Sequence, residues 1–209
     1  TGGKLGAGHR SHITAASVHL GADWIASVDI EDFFPSTNQK EISDALTALG
    51  YQTPASLDIL SKLCSFRGRL SQGAPTSPVI SNIALNRLDF MLVEIAKRYD
   101  AKFTRYADDI VFSGRGATPQ GLVDGIKDVF IGASWVLSER KHHVAHLPQR
   151  LKVHGLLVHQ QELRLTKGYR NKIRAYKHLQ STNKIAPHDM RRIIGHLNFA
   201  TQIENSRRD

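Results

Sequence analysis

Residues 102–114 read KFTRYADDIVFSG, two β-prone runs joined by Tyr106, Ala107, Asp108 and Asp109. Thr104, Ile110, Val111 and the aromatic Phe103 and Phe112 favour extended backbone, and the centre is short enough to be the turn of a hairpin. Asn-Gly would make such a turn more cheaply. Two adjacent carboxylates repel, and each is costly to bury, so the pair must sit where water or a cation neutralises it. Taken alone, such a pair is more often a solvated turn than a chemical site.

A third carboxylate lies upstream. WIASVDIEDFF at 24–34 is apolar and β-prone up to Asp29, then turns acidic and aromatic before Pro35, as a buried strand does where its end opens onto a surface. Between the two strand regions, TNQKEISDALTALG reads as a helix with Thr37 or Asn38 as N-cap and Gly50 as stop. A short helix is expected over 54–64, then a Gly-, Pro- and Ser-rich loop over 67–78. One long amphipathic helix follows, with Ile80, Ile83, Leu88, Leu92 and Ile95 on its buried face.

Beyond the hairpin, residues 119–133 are expected to be helical. SWVLSERKHHVAH reads as a strand leading into a polar loop that holds His142, His143 and His146, and residues 150–166 as a hairpin turning at 160–162. From Lys167 the pattern becomes helical with basic spacing, read as a separate lobe. In order, these elements suit a split βαβ sheet with helices on one face, an α+β, ferredoxin-like arrangement. There Asp29 would lie beside the hairpin and converge with Asp108 on an oxygen-rich pocket suited to Mg²⁺. Two such ions clamp the attacking and leaving oxygens of a phosphoryl displacement.

Composition narrows the partners. The 209 residues carry a net charge of +9 with Lys and Arg spread along the chain, which favours a folded protein facing a polyanion, nucleic acid before membrane. The single Cys64 excludes a disulfide framework and a cysteine zinc site, and a reducing cytoplasm is the expected compartment. No apolar run is long enough to span a bilayer. The first residues, TGGKLGAGHRSH, lack an initiator Met and read as a cut edge.

DIEDFFPS at 29–36, QGAPTSPVISNIALNRLD at 72–89 and YADD at 106–109 together resemble the successive palm motifs of reverse transcriptases, in wording nearest to bacterial retron and group II intron types. Each motif alone is common; three in order are specific. GHRSHITAASVH at 8–19 resembles the retron segment before the first catalytic strand, with Thr14 where Asn is usual. LSERKHH at 137–143 is similar to the lysine-bearing segment after the catalytic hairpin, KVHGLLVH at 152–159 to the primer-grip hairpin, and IIGHLNFATQIE at 193–204 to the thumb helix. The resemblance implies a polymerase palm over 1–150, a primer-grip hairpin over 151–166 and a helical thumb over 167–209.

By that resemblance Asp29, Asp108 and Asp109 form the metal site with Ile30 beside them, holding two Mg²⁺ or alternatively Mn²⁺. Asp109 is expected to be the less direct ligand, since consecutive strand residues point different ways. Phe34 matches the aromatic that excludes a 2′-hydroxyl; otherwise it is a core ring next to Phe33. Gln72 and Gly73, with Tyr106 and Ala107, match positions that contact the incoming nucleotide and template-primer. Ser77 is expected to cap the long helix, with Pro78 in its first turn.

Lys141 matches a residue that binds the triphosphate or protonates the pyrophosphate leaving group, or is a solvated lysine. Gly155, Lys167, Arg170 and Arg174 are expected to contact nucleic acid, with Lys172, Lys177, Tyr169 and Tyr176 on the same stretch; an ordinary solvated helix face is the alternative. His154 stands where retrons usually carry Thr. The implied function is an RNA-directed DNA polymerase using dNTPs, an RNA template and a DNA or RNA primer, with a cognate non-coding RNA and an effector protein as further partners in antiviral defence. Alternatives are template-independent or protein-primed synthesis, or a silent nucleic-acid-binding module. The fingers segment implied by the resemblance would precede residue 1, so the piece is expected to bind metal and duplex but to polymerise poorly.

Overall fold

The protein is described by a computed structural model over residues 11–206. Gly8 to Arg10 of the 8–19 motif and the last three residues of the 167–209 segment lie outside the described residues.

Four strands, β1 (Trp24–Asp29), β2 (Lys102–Tyr106), β3 (Asp109–Gly114) and β4 (His143–His146), form one sheet in the order β2-β3-β1-β4. Every neighbouring pair is antiparallel. This is the split arrangement expected from the sequence: β3 returns between β1 and β2 rather than beside β2 alone. Three short strands, β5 (Lys152–Val153), β6 (Leu156–His159) and β7 (Glu162–Leu165), form a second antiparallel sheet. The expected hairpin thus turns twice, at 154–155 and at 160–161.

The helices in chain order are α1 (His12–Val18), α2 (Phe33–Ser36), α3 (Gln39–Ala48), α4 (Pro54–Cys64), α5 (Ser77–Ala84), α6 (Asn86–Arg98), α7 (Leu122–Val129), α8 (Lys167–Ser181) and α9 (Met190–Asn205). Asn38 caps α3, its Oδ1 accepting from Lys40 N at 2.9 Å and Glu41 N at 3.3 Å. Gly50 follows that helix with φ of 100°, a left-handed conformation that Gly adopts without a Cβ penalty.

Three local expectations need correction. The long helix is two, α5 and α6, meeting at Leu85, whose ψ of −3° departs from helical geometry. Leu85 is wholly buried in the core, so packing overrides a periodicity that runs unbroken through the joint. Ser77 is the first residue of α5 rather than its cap, and its hydroxyl donates to Ser71 O at 2.7 Å, tying down the preceding loop. Residues 135–138 make a single bridge, Leu137 to Ile30. The strand lies further on, so His143 and His146 are on β4, an exposed sheet edge, not in a polar loop.

Alternation sorts the two faces of the first sheet. Trp24, Ala26, Val28, Ile110 and Phe112 pack against Leu92 and Ile95 of α6 and Ile126 of α7. Ile25, Val111 and Ala145 pack on the other face against Ile13 and Ala16 of α1, the second sheet, and Ile173, Ala200 and Ile203 of α8 and α9. Both faces are therefore covered, and residues from all three sequence segments share one apolar core. Tyr169 and Tyr176 belong to that packing: Tyr169 Oη lies 2.7 Å from His196 Nδ1, and Tyr176 stacks on the same ring.

Candidate active site

β1 and β3 pair in a register that sets Asp29 directly opposite Asp109. Residues opposed in an antiparallel pair project to one face, so these two carboxylates share the face covered by α1 and the second sheet. Asp108 sits in the two-residue turn, and its carbonyl accepts from Ile30 N at 3.0 Å. Asp109 is thus as close in register to Asp29 as any residue of the hairpin. The Ile30 side chain is buried in the opposite core, leaving only its backbone at the site.

The turn is held under strain. Ala107 has φ of 55°, a left-handed conformation costing an L-residue roughly 1–2 kcal/mol. Arg105 stabilises it: Nη1 donates to Ala107 O at 2.9 Å, while Nε and Nη2 make a two-pronged pair with Asp89 of α6, both at 2.6 Å. Two parallel charge-assisted bonds fix orientation as well as distance. The turn is thereby bolted to the helix behind the sheet.

Each outer carboxylate has a basic partner. Lys141 Nζ donates to Asp29 Oδ1 at 2.8 Å, from a single 3₁₀ turn over Glu139–Lys141. His154, in the first turn of the second sheet, donates from Nδ1 to Asp109 Oδ2 at 2.8 Å. Its side chain is 2% exposed, its ring lies 5.6 Å from that of Tyr106, and Nε2 is buried without a hydrogen-bond partner among the described residues. The hydrogen bond to Asp29 is the main influence raising the Lys141 pKa. Burial, reinforced by the charges of Asp29 and Asp109, raises that of Asp108.

The excess negative potential around Asp108, and the all-oxygen donor set, fit a hard divalent cation. Among the described residues, however, no three His, Cys, Asp or Glu side chains converge closely enough to hold one. Asp29 is turned to Lys141 and Asp109 to His154. The site has the donors for a metal, with two of them engaged elsewhere.

The other expected site residues lie at varying removes. Phe34, half-buried in α2, packs against Phe33 at 5.0 Å and touches both the main core and that under α3 and α5. Gln72 and Gly73 are exposed. Their loop is tethered to the segment after Asp29 by Leu70 N to Thr37 O at 3.2 Å and Arg69 Nη1 to Pro35 O at 2.7 Å. Gly73 has φ of 88° with open space where a Cβ would stand, so glycine is needed there for backbone conformation. Gly155, with φ of 83°, closes the turn that carries His154.

Lys167, Arg170 and Arg174 are exposed along α8, and Arg170 faces a groove at the opposite end of β1 from Asp29. The sequence reading missed Arg105, and it missed His154 as a partner of Asp109. Its only signal was that His154 departs from the usual Thr.

The family model for reverse transcriptase (RNA-dependent DNA polymerase) matches residues 7–167. The chain is 28% identical over 198 residues to the retron Ec86 reverse transcriptase of Escherichia coli, covering 94% of this chain and 61% of that protein. It is 32% identical over 193 residues to the retron Mx65 reverse transcriptase of Myxococcus xanthus, covering 84% and 45%. The chain thus spans about half the length of these curated relatives. Among solved structures, a foamy viral protease-reverse transcriptase in complex with an RNA/DNA hybrid superposes with a TM-score of 0.54 at 20% identity, covering 92% of this chain and 24% of that one. With palm sheet, carboxylate register and family match in agreement, the chain belongs to the reverse transcriptase family, among relatives of the bacterial retron type.

Proposed function

We propose that the protein carrying this chain is an RNA-directed DNA polymerase of retron type, and that Asp29, Asp108 and Asp109 are its metal-binding carboxylates. The observation that carries this is the register of β1 and β3, which opposes Asp29 to Asp109 with Asp108 in the adjoining turn. Divalent ions, general in this family, would supply charge neutralisation at the reacting phosphate. Asp29, Asp108 and Asp109 would hold them once the exposed Lys141 yields, with His154 remaining on Asp109 Oδ2.

The chain's own groups account for the rest. Arg105 holds the turn, so the carboxylates are positioned before substrate arrives. Lys141, 61% exposed, is free to swing from Asp29 toward an incoming triphosphate. Phe34, two residues past Asp32, would set the preference for a deoxyribose by bulk, and Gln72 and Gly73 would border the nucleotide. Lys167 and Arg174 would meet phosphates of the bound template-primer, whereas Arg170 faces the groove at the other end of β1. The palm, primer-grip and thumb segments are proposed at 1–150, 151–166 and 167–209. No helix among the described residues is long and apolar enough to cross a membrane.

The test is primer extension on an RNA template with Mg²⁺ and dNTPs, comparing the parent with Asp108→Asn. Extension by the parent and a loss of at least about a hundredfold in the variant is expected. Equal rates would refute the assignment of the carboxylates.

A further inference from the structure

A groove of about 1120 Å³ opens where the loop before β1, the link after β4 and the β6–β7 turn meet. Gly21 N donates to Gln160 O at 2.7 Å, so two of its walls are joined by backbone. Arg150, Arg164 and Arg170 line it against one lining carboxylate, Asp23. Asp23 is already engaged, Oδ2 accepting from Gly116 N at 2.8 Å, and Arg164 pairs with Glu162. Arg150 and Arg170 pair with no carboxylate among the described residues. Arg115 adds a fourth guanidinium at the rim, its Nη2 standing 3.7 Å from where a Cβ on Gly21 would be.

The rest of the lining is of two kinds. Leu147, Pro148 and Leu157 give an apolar floor, and Gln149 and Gln161 bring amides that donate and accept hydrogen bonds. The ligand must therefore be anionic, flat-faced and apolar in part, and polar at its edges. At about 1120 Å³ the groove has room for a short segment of polymer. A duplex turns its base faces inward, away from such a floor. An unpaired strand presents phosphates and base faces together.

Position separates this groove from the carboxylates. Asp23 precedes β1 and Asp29 ends it, and six residues of strand at about 3.3 Å each place the two ends about 20 Å apart. We propose that this groove is a second nucleic-acid site that holds an unpaired strand, with Arg150 and Arg170 on its phosphates and bases against the floor of Leu147, Pro148 and Leu157. The site goes beyond the polymerase reading and needs no metal.

The experiment is photocrosslinking of the intact protein in EDTA to short single strands of RNA bearing 4-thiouridine and of DNA bearing 4-thiothymidine. It is paired with binding measurements on the parent and on Arg150→Glu combined with Gln161→Glu. Adducts are expected within 147–151 and 157–165, and the double variant is expected to bind single strands about tenfold more weakly at moderate salt. Primer extension by that variant on a pre-annealed duplex should match the parent. A stronger RNA arm would mean that the 2′-hydroxyl is used, and equal arms that backbone and bases suffice; both support the site. Adducts confined to the carboxylate face, unchanged affinity in the double variant, or tighter binding of a mononucleotide than of a strand would overturn it. Loss of primer extension in the parent with these adducts retained would count against the polymerase reading alone.

Discussion

His154 Nδ1 lies 2.8 Å from Asp109 Oδ2, joining the first turn of the second sheet to the carboxylate that faces Asp29 across the palm. The contact is buried on the histidine side, so it constrains both elements. In the proposed metal site, a partner of this kind would orient Asp109 much as the outer hydrogen bonds of metalloenzymes do.

His154→Ala is expected to raise the Mg²⁺ concentration for half-maximal primer extension by about tenfold or more, the usual scale for losing such a partner. His154→Asn, whose amide can still donate, should recover part of the loss. A magnesium titration identical to the parent's would show that the contact positions nothing.

Arg105→Ala removes the two-pronged bond to Asp89 and the support of the strained Ala107 carbonyl. Arg105 is 7% exposed and Asp89 28%, and breaking a pair this buried costs about 3 kcal/mol. Arg105→Lys should fail to restore stability, because a single ammonium cannot reproduce the planar fork. Urea unfolding would read the change, and a midpoint unmoved in Arg105→Ala would contradict it.

Lys141→Ala separates chemistry from stability. The side chain is largely in water, and such pairs contribute little to folding. Thermal melting should be nearly unaltered, while primer extension slows by about a hundredfold if Lys141 delivers a proton or holds the triphosphate. Parental rates would reduce it to a counter-ion of Asp29.

His19 predicts the acid response of the fold. It is fully buried between α1 and the sheet, Nδ1 2.7 Å from Ser113 Oγ and Nε2 2.7 Å from Thr104 Oγ1. Burial, with smaller effects from His154 and Lys102, pushes its pKa down to about 3. The folded value lies below the unfolded one, near 6.5, so the unfolded chain binds the proton first. Its contribution is complete above pH 6.5 and is lost as pH falls from there toward 3, with a slope approaching about 1.4 kcal/mol per pH unit. His19→Gln should flatten that slope in urea unfolding between pH 6.5 and 4; parallel pH profiles would rule His19 out as its source.

Much of this architecture is legible in local patterns. β1 ends at Asp29, β2 and β3 flank the double carboxylate, and α3, α4 and α8 fall at or within a few residues of their expected bounds, because each has its own periodicity and punctuation. The division at Leu85 was hidden, since the apolar spacing continues smoothly and only packing interrupts the helix. The position of β4 was misread because His143 and His146 look like loop residues, whereas an exposed edge strand accepts polar side chains.

By itself the sequence determined the family, the order of strands and helices, and the three carboxylates, since these depend on residue type and spacing along the chain. Only the tertiary structure decided that Asp109 shares a face with Asp29, that His154 and Lys141 occupy two of the three acids, and that Arg105 pins the turn through Asp89. Those are contacts across 16 to 112 residues of separation, where register and side-chain reach govern, and no local pattern records either. The same holds for the arginine groove: its residues lie in separate segments, and the meeting of three loops at the far end of β1 made them neighbours.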